Sequence, residues 1–122
     1  MLNRWVAGAN TSPLPVHGPI GVKAVVEGFM QAYYQDHLYR IAHHGEKIIP
    51  PGGFGGTSLT FGISGPEQRV LIIDEPDLTI EAFSVNHSPI EPAVGYKVRY
   101  KDRTLVISAN DSGSDPNWSV RS

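Results

Sequence analysis

The sequence has no cysteine. Disulfides and thiolate metal sites are therefore excluded, and any zinc must be held by His, Asp or Glu. It also has no run of about 18 apolar residues, so nothing in it reads as a membrane span. Met1 to Asn10 lacks the apolar stretch of a signal peptide. These absences leave the compartment open, cytoplasmic by default. Charge of one sign is scarce too. The formal net charge is -2, so no strong field draws the chain to nucleic acid or an anionic membrane. A local basic patch could still meet an anion. The glycines at 52, 53, 55 and 56 are not a phosphate loop, since no Lys-Ser/Thr follows them and no strand directly precedes them.

What is present suggests one globular unit with a modest core. The chain has 122 residues, 40% of them apolar and 18% charged, a balance typical of folded domains. Met1 to Ser12 shows no clear period and reads as the end of something longer. Pro13 to Val16 reads as a short extended piece, closed by His17-Gly18-Pro19. Val22, Val25, Val26, Phe29, Met30 and Tyr33 then follow the spacing of one helix face. Lys23, Glu27 and Gln31 line the other. This predicts a helix from about Gly21 to Gln35, packed on a sheet. Asp36 is placed to cap a second, short helix reaching His43, with Gly45 as its stop. Residues 50–68 read as a flexible Pro/Gly loop.

From Val70 the period changes to that of strands. Val70 to Asp74 is short and apolar. Leu78 to Asn86 carries Leu78, Ile80 and Ala82 on one face and Phe83 and Val85 on the other. Ala93 to Tyr100 sets Val94, Tyr96, Val98 and Tyr100 against Lys97 and Arg99, so one side should meet water. Thr104 to Ala109 is nearly all apolar and reads as a buried strand. The short turn at Lys101-Asp102 makes the last two strands an antiparallel hairpin. Residues 112–122 read as an irregular tail. If the last three strands form a meander, the first and third end on the same rim, about 10 Å apart. His87 follows the first of these ends and Asp111 the third. By residue type alone, a lone His at a strand end is more often a hydrogen-bonded surface residue. An Asp after a strand is more often a turn former.

Three ordered stretches carry a resemblance. They are Pro15-Val16-His17-Gly18-Pro19 with Tyr39-Arg40-Ile41-Ala42-His43-His44-Gly45-Glu46, then Ala82-Phe83-Ser84-Val85-Asn86-His87 with Glu91-Pro92-Ala93-Val94-Gly95-Tyr96, then Leu105-Val106-Ile107-Ser108-Ala109-Asn110-Asp111. Together, from about Trp5 to Asn117, the chain resembles metallo-β-lactamase-fold hydrolases of the ribonuclease Z-like kind. The resemblance implies an α+β (αβ) fold. It would be a single partial αββα sandwich over residues 1–122, with one or two helices packed on a mostly antiparallel sheet meander. It also implies two divalent metals, usually zinc, at one rim. His87 matches the single His that joins the first metal, and Asp111 the carboxylate that bridges both. A metal-bound water in such a site acts on phosphoryl, sulfuryl or acyl groups.

Two departures qualify what is implied. The family's His-x-His-x-Asp-His motif belongs upstream of the segment that opens this chain, and no His-x-His occurs in the sequence. The adjacent His43 and His44 cannot replace it, because neighbouring side chains diverge. The family's closing His is missing as well, so His87 and Asp111 alone should hold zinc weakly. At the carboxylate, both Ala109 and Asn110 separate Ser108 from Asp111 where the family has one small residue. Either Asp111 or Asn110 therefore holds the bridging position.

The first functional reading is part of a metal-dependent hydrolase of phosphodiester, sulfate ester or related bonds, inactive as this chain alone. Its substrate would be a small-molecule or RNA ester. The second is a non-catalytic binding or dimerisation module on the same scaffold, with a homodimer as one outcome. A third, a small α+β enzyme of another kind, has no nucleophile–base pair to support it. Lesser candidates have plainer explanations. His17 suits a turn. His43 and His44 suit a helix C-terminus. Lys97, Arg99, Lys101 and Arg103 suit a solvated sheet face, although phosphate contact is the other use of such a ribbon.

Overall fold

The computed structural model describes residues 1–63, 65 and 67–108, together with the backbone of 120–121. The chain packs as two compact units, Met1–Thr60 and Phe61–Ser122. The fold class is α+β, as expected from the sequence.

The first unit contains α1 (Leu2–Val6), β1 (Leu14–Gly18), α2 (Val22–Ala32), α3 (Tyr34–His44), a 3₁₀ turn (Pro51–Gly53) and β2 (Gly56–Thr60). β1 and β2 pair in parallel, with Val16 opposite Ser58. Parallel neighbours need a long crossover, and α2, α3 and the following turn provide it. A strand thus occupies part of the stretch read as a 50–68 loop. The breakers end at Gly56, and Thr57 to Thr60 carry ordinary strand residues. α1 falls where no period was visible, since a five-residue helix burying only Trp5 is too short to show one.

The predicted helix face is only half used. α2 packs on β1 and β2 through the line Val22, Val26 and Met30, of which Val26 is fully buried. Close approach depends on two glycines. A Cβ at Gly18 would stand 2.7 Å from Val22 Cγ2, and one at Gly55 would stand 2.7 Å from Met30 Cε. The parallel line Val25, Phe29 and Tyr33 faces outward, Val25 being 57% exposed. A two-stranded sheet is too narrow to cover a wide apolar stripe. The helix also ends earlier than predicted, at Ala32, and α3 begins at Tyr34. Asp36 is therefore not the cap but a first-turn residue, where its carboxylate accepts a hydrogen bond from Arg40 Nε at 2.6 Å. A negative charge there favours the helix dipole, and the i,i+4 spacing favours the pair. Gly45 stops α3 as expected, at φ 82°.

Trp5 centres this unit's core. It is fully buried, and its indole Nε1 donates to the Pro50 carbonyl at 2.5 Å. The indole meets His37 and Phe54 edge-on at 5.4 and 5.3 Å. The His37 ring in turn stacks on Phe54 at 4.1 Å.

The second unit is a meander of β3 (Arg69–Glu75), β4 (Leu78–Ser84), β5 (Val94–Tyr100), β6 (Arg103–Ile107) and β7 (Val120–Arg121), antiparallel in that order. β7 lies within the stretch read as an irregular tail; the remainder of that tail is outside the described residues. Register sorts the side chains as the sequence suggested. Ile80 pairs with Val98, and Val98 with Leu105; Ala82 pairs with Tyr96, and Tyr96 with Ile107. These residues share one apolar face. Glu81 opposite Lys97 belongs to the other face. A bulge between Leu71 and Ile73 keeps Ile73 on the apolar side.

β6 departs from the fully buried strand that was expected. Leu105 and Ile107 are 40% and 54% exposed. A single sheet layer needs a second layer over its apolar face, and no described element of this unit covers these two residues. Among the described residues, no helix is long and apolar enough to cross a membrane.

Candidate functional site

The meander brings the ends of β4 and β6 to one rim. Both strands run antiparallel to β5, and the row Ala82, Tyr96, Ile107 crosses all three. β4 leaves the sheet at Ser84 and continues into a loop that carries His87 five residues beyond that row. β6 leaves at Ile107, and the chain beyond it leads toward Asp111. Two strand spacings separate the outer strands, about 10 Å. His87 is thus at the rim where the sequence put it. Asp111 and its alternative Asn110 lie outside the described residues.

The loop has a definite local structure. Val85 N–H donates to the Ala93 carbonyl at 3.0 Å and closes the loop's base. Ser88 N–H donates to the Asn86 side-chain oxygen at 3.2 Å. Ile90 N–H donates to the His87 carbonyl at 2.8 Å. The Ser88-Pro89 and Glu91-Pro92 peptides are both cis. Below the loop, the Phe83 ring lies over Gly95, its cross-strand partner. The adjacent Tyr96 is half-buried and meets Phe61 edge-on. Burial pushes the Tyr96 phenol above its ordinary value.

The His87 side chain is half-buried. Its ring nitrogens make no hydrogen bond or ion pair with any described residue, so both are open to a ligand at the rim; imidazole nitrogen is a donor that zinc accepts. His87 fits the role of one ligand. Among the described residues, no three His, Asp or Glu side chains gather so as to hold a metal ion.

The other sequence candidates stay apart from this rim. His17 is an exposed residue of β1, paired with Leu59. His43 and His44 sit in the last turn of α3, their rings 4.6 Å apart and both exposed. All three belong to the first unit. Lys97 and Arg99 lie on the polar face of β5, which Glu81 and the Arg69–Glu81 pair (3.8 Å) make mixed in charge. Sequence reasoning missed one concavity, a pocket of about 390 Å³ lined by Met30, Gln31, Tyr34 and Phe54. His37 stacks behind Phe54, and its buried Nδ1 has no hydrogen-bond partner among the described residues. The Tyr34–His37 spacing along one helix was its only signal.

Over about nine-tenths of its length the chain is similar to proteins named ribonuclease Z. It is 31% identical over 114 residues to ribonuclease Z of Mycobacterium tuberculosis strain H37Rv, covering 92% of this chain and 38% of that protein. Ribonuclease Z of Mycolicibacterium gilvum is 27% identical over 112 residues, covering 90% of this chain and 36% of that protein. For Mycobacterium avium ribonuclease Z the identity is 28% over 112 residues, covering 90% and 37%. The chain spans less than half the length of the curated relatives it matches. No family model matches the chain, and no solved structure matches it significantly.

Proposed function

We propose that these 122 residues are part of a metal-dependent hydrolase that cleaves phosphodiester bonds in RNA. His87 and Asp111 serve as zinc ligands at the sheet rim, and the remaining ligands come from residues not in this sequence. The observation that carries the reading is the similarity to ribonuclease Z across nine-tenths of the chain, which includes the loop that holds His87 at the rim. Zinc, when bound in such a site, supplies an activated water and charge neutralisation at the phosphoryl group. The chain's own task is to hold an imidazole and a carboxylate at one rim. Because the His-x-His-x-Asp-His motif is absent from the sequence, this chain alone does not turn over substrate.

A chimera tests this. These residues replace the matching stretch of M. tuberculosis H37Rv ribonuclease Z, and cleavage of a precursor RNA is measured. The expected result is a folded, active chimera that His87→Ala or Asp111→Ala silences, while the 122-residue chain alone is inert with or without zinc. A folded chimera whose activity survives His87→Ala would overturn the reading.

A second reading rests on a different observation. Tyr100, Leu105 and Ile107 form an exposed apolar row along β5 and β6. Such a patch favours a binding or dimerisation module on the same scaffold.

A further inference from the structure

Residues 86–90 form two overlapping turns that share His87. In the first, the Asn86 side-chain oxygen accepts from Ser88 N–H at 3.2 Å. The ring closed by that bond has His87 as its middle residue. In the second, the His87 carbonyl accepts from Ile90 N–H at 2.8 Å. His87 is therefore restrained on both sides, by a side-chain bond that spans it and a main-chain bond that holds its carbonyl. Neither bond uses the imidazole. We propose that Asn86 is a positioning residue for His87, fixing the backbone from which the imidazole projects at the rim. The proposal rests on the reading of His87 as a metal ligand.

The chemistry suits the task. An Asn side-chain oxygen mimics a main-chain carbonyl and closes a turn two residues on. Asn86 is itself exposed, so it is not a packing residue and its replacement leaves the sheet intact. The second turn is left without its companion when Asn86 is lost. His87 then keeps its carbonyl bond but is freed at its N-terminal side. Side chains set by an outer shell of hydrogen bonds lose metal affinity when that shell is removed.

The test uses the 122-residue chain, isotope-labelled, with Asn86→Ala and Asn86→Asp. The first variant removes the acceptor and the second keeps it. Thermal melts should be alike in all three. Three-bond couplings of His87 should report one dominant χ1 rotamer in the unsubstituted chain and in Asn86→Asp, and averaging in Asn86→Ala. Ser88 amide exchange should quicken only in Asn86→Ala. Zinc sulfate, added alone, should shift the His87 ring signals, with apparent affinity about tenfold weaker in Asn86→Ala. His87 couplings that are unchanged in Asn86→Ala overturn the proposal, as does averaging that Asn86→Asp fails to restore. If zinc leaves the His87 ring of the unsubstituted chain unmoved, the ligand reading fails instead, and the couplings still decide the role of Asn86.

Discussion

At position 95 the Phe83 ring fills the space that a side chain would need. A Cβ there would meet that ring and stand 3.0 Å from the Ile107 carbonyl oxygen. The ring belongs to β4 and the carbonyl to β6, so one glycine lets three strands close up beneath the His87 loop. Gly95→Ala should therefore lower unfolding free energy by about 1–3 kcal/mol, the usual cost of overpacking, measured by urea titration. No change would mean that the Phe83 ring swings aside freely. Trp5 makes the opposite case, a large residue for which the first unit is built. Its indole is fully buried and bonded to the Pro50 carbonyl. Trp5→Ala should cost about 3–5 kcal/mol, seen as a lower thermal midpoint. Trp5→Phe should recover part of that loss but leave the Pro50 carbonyl with only the Gly53 N–H as donor.

Among the elements, the strands were the most legible from sequence. Alternation in Val94 to Tyr100 gave the correct faces, because a period of two leaves no freedom once a register is chosen. The hairpin turn at Lys101-Asp102 and the shared rim of β4 and β6 followed from the same logic. α2 and α3 were legible as existing but not in all their limits, and α1 was not legible at all. The apolar face of α2 runs through Tyr33 without a break, and nothing in its spacing signals that Val25 and Phe29 stay uncovered. β2 was hidden because it pairs with a strand some forty residues earlier in the chain, a contact that local pattern does not encode. The place of His87 was legible through its strand and its role only through the resemblance; the Asn86 turn that holds it is a side-chain hydrogen bond, invisible to periodicity. Tyr96 on β5 gives an element-level prediction. Burial raises its phenol pKa in the folded chain above the unfolded value near 10. The folded state thus keeps this proton longer than the unfolded state does. The stability tied to it is fully present below about pH 10 and is lost as pH rises through the folded value. Between pH 9 and 11 the urea midpoint should fall more steeply for the unsubstituted chain than for Tyr96→Phe. Parallel slopes would dissociate Tyr96 from the alkaline loss.

For the whole molecule, the second unit's sheet decides how the chain behaves in solution. Its polar face offsets Lys97 and Arg69 with Glu81 and needs no partner. Its other face carries Ile80, Ala82, Tyr96 and Val98 in the middle, where neighbours shield them. Toward β6 the shielding gives out, and Tyr100, Leu105 and Ile107 stand exposed. An apolar sheet face that ends in open solvent favours association. The net charge of -2 is too small to oppose it by repulsion. The 122-residue chain should therefore associate with rising concentration in sedimentation velocity. Ile107→Lys should reduce that association, because it sets a charge in the exposed row. The same substitution should leave the zinc response of His87 unchanged, since the imidazole sits in a separate loop. If the chain stays monomeric at every concentration and Ile107→Lys changes nothing, the dimerisation reading loses its support. The exposed row would then be no more than surface that the chain tolerates.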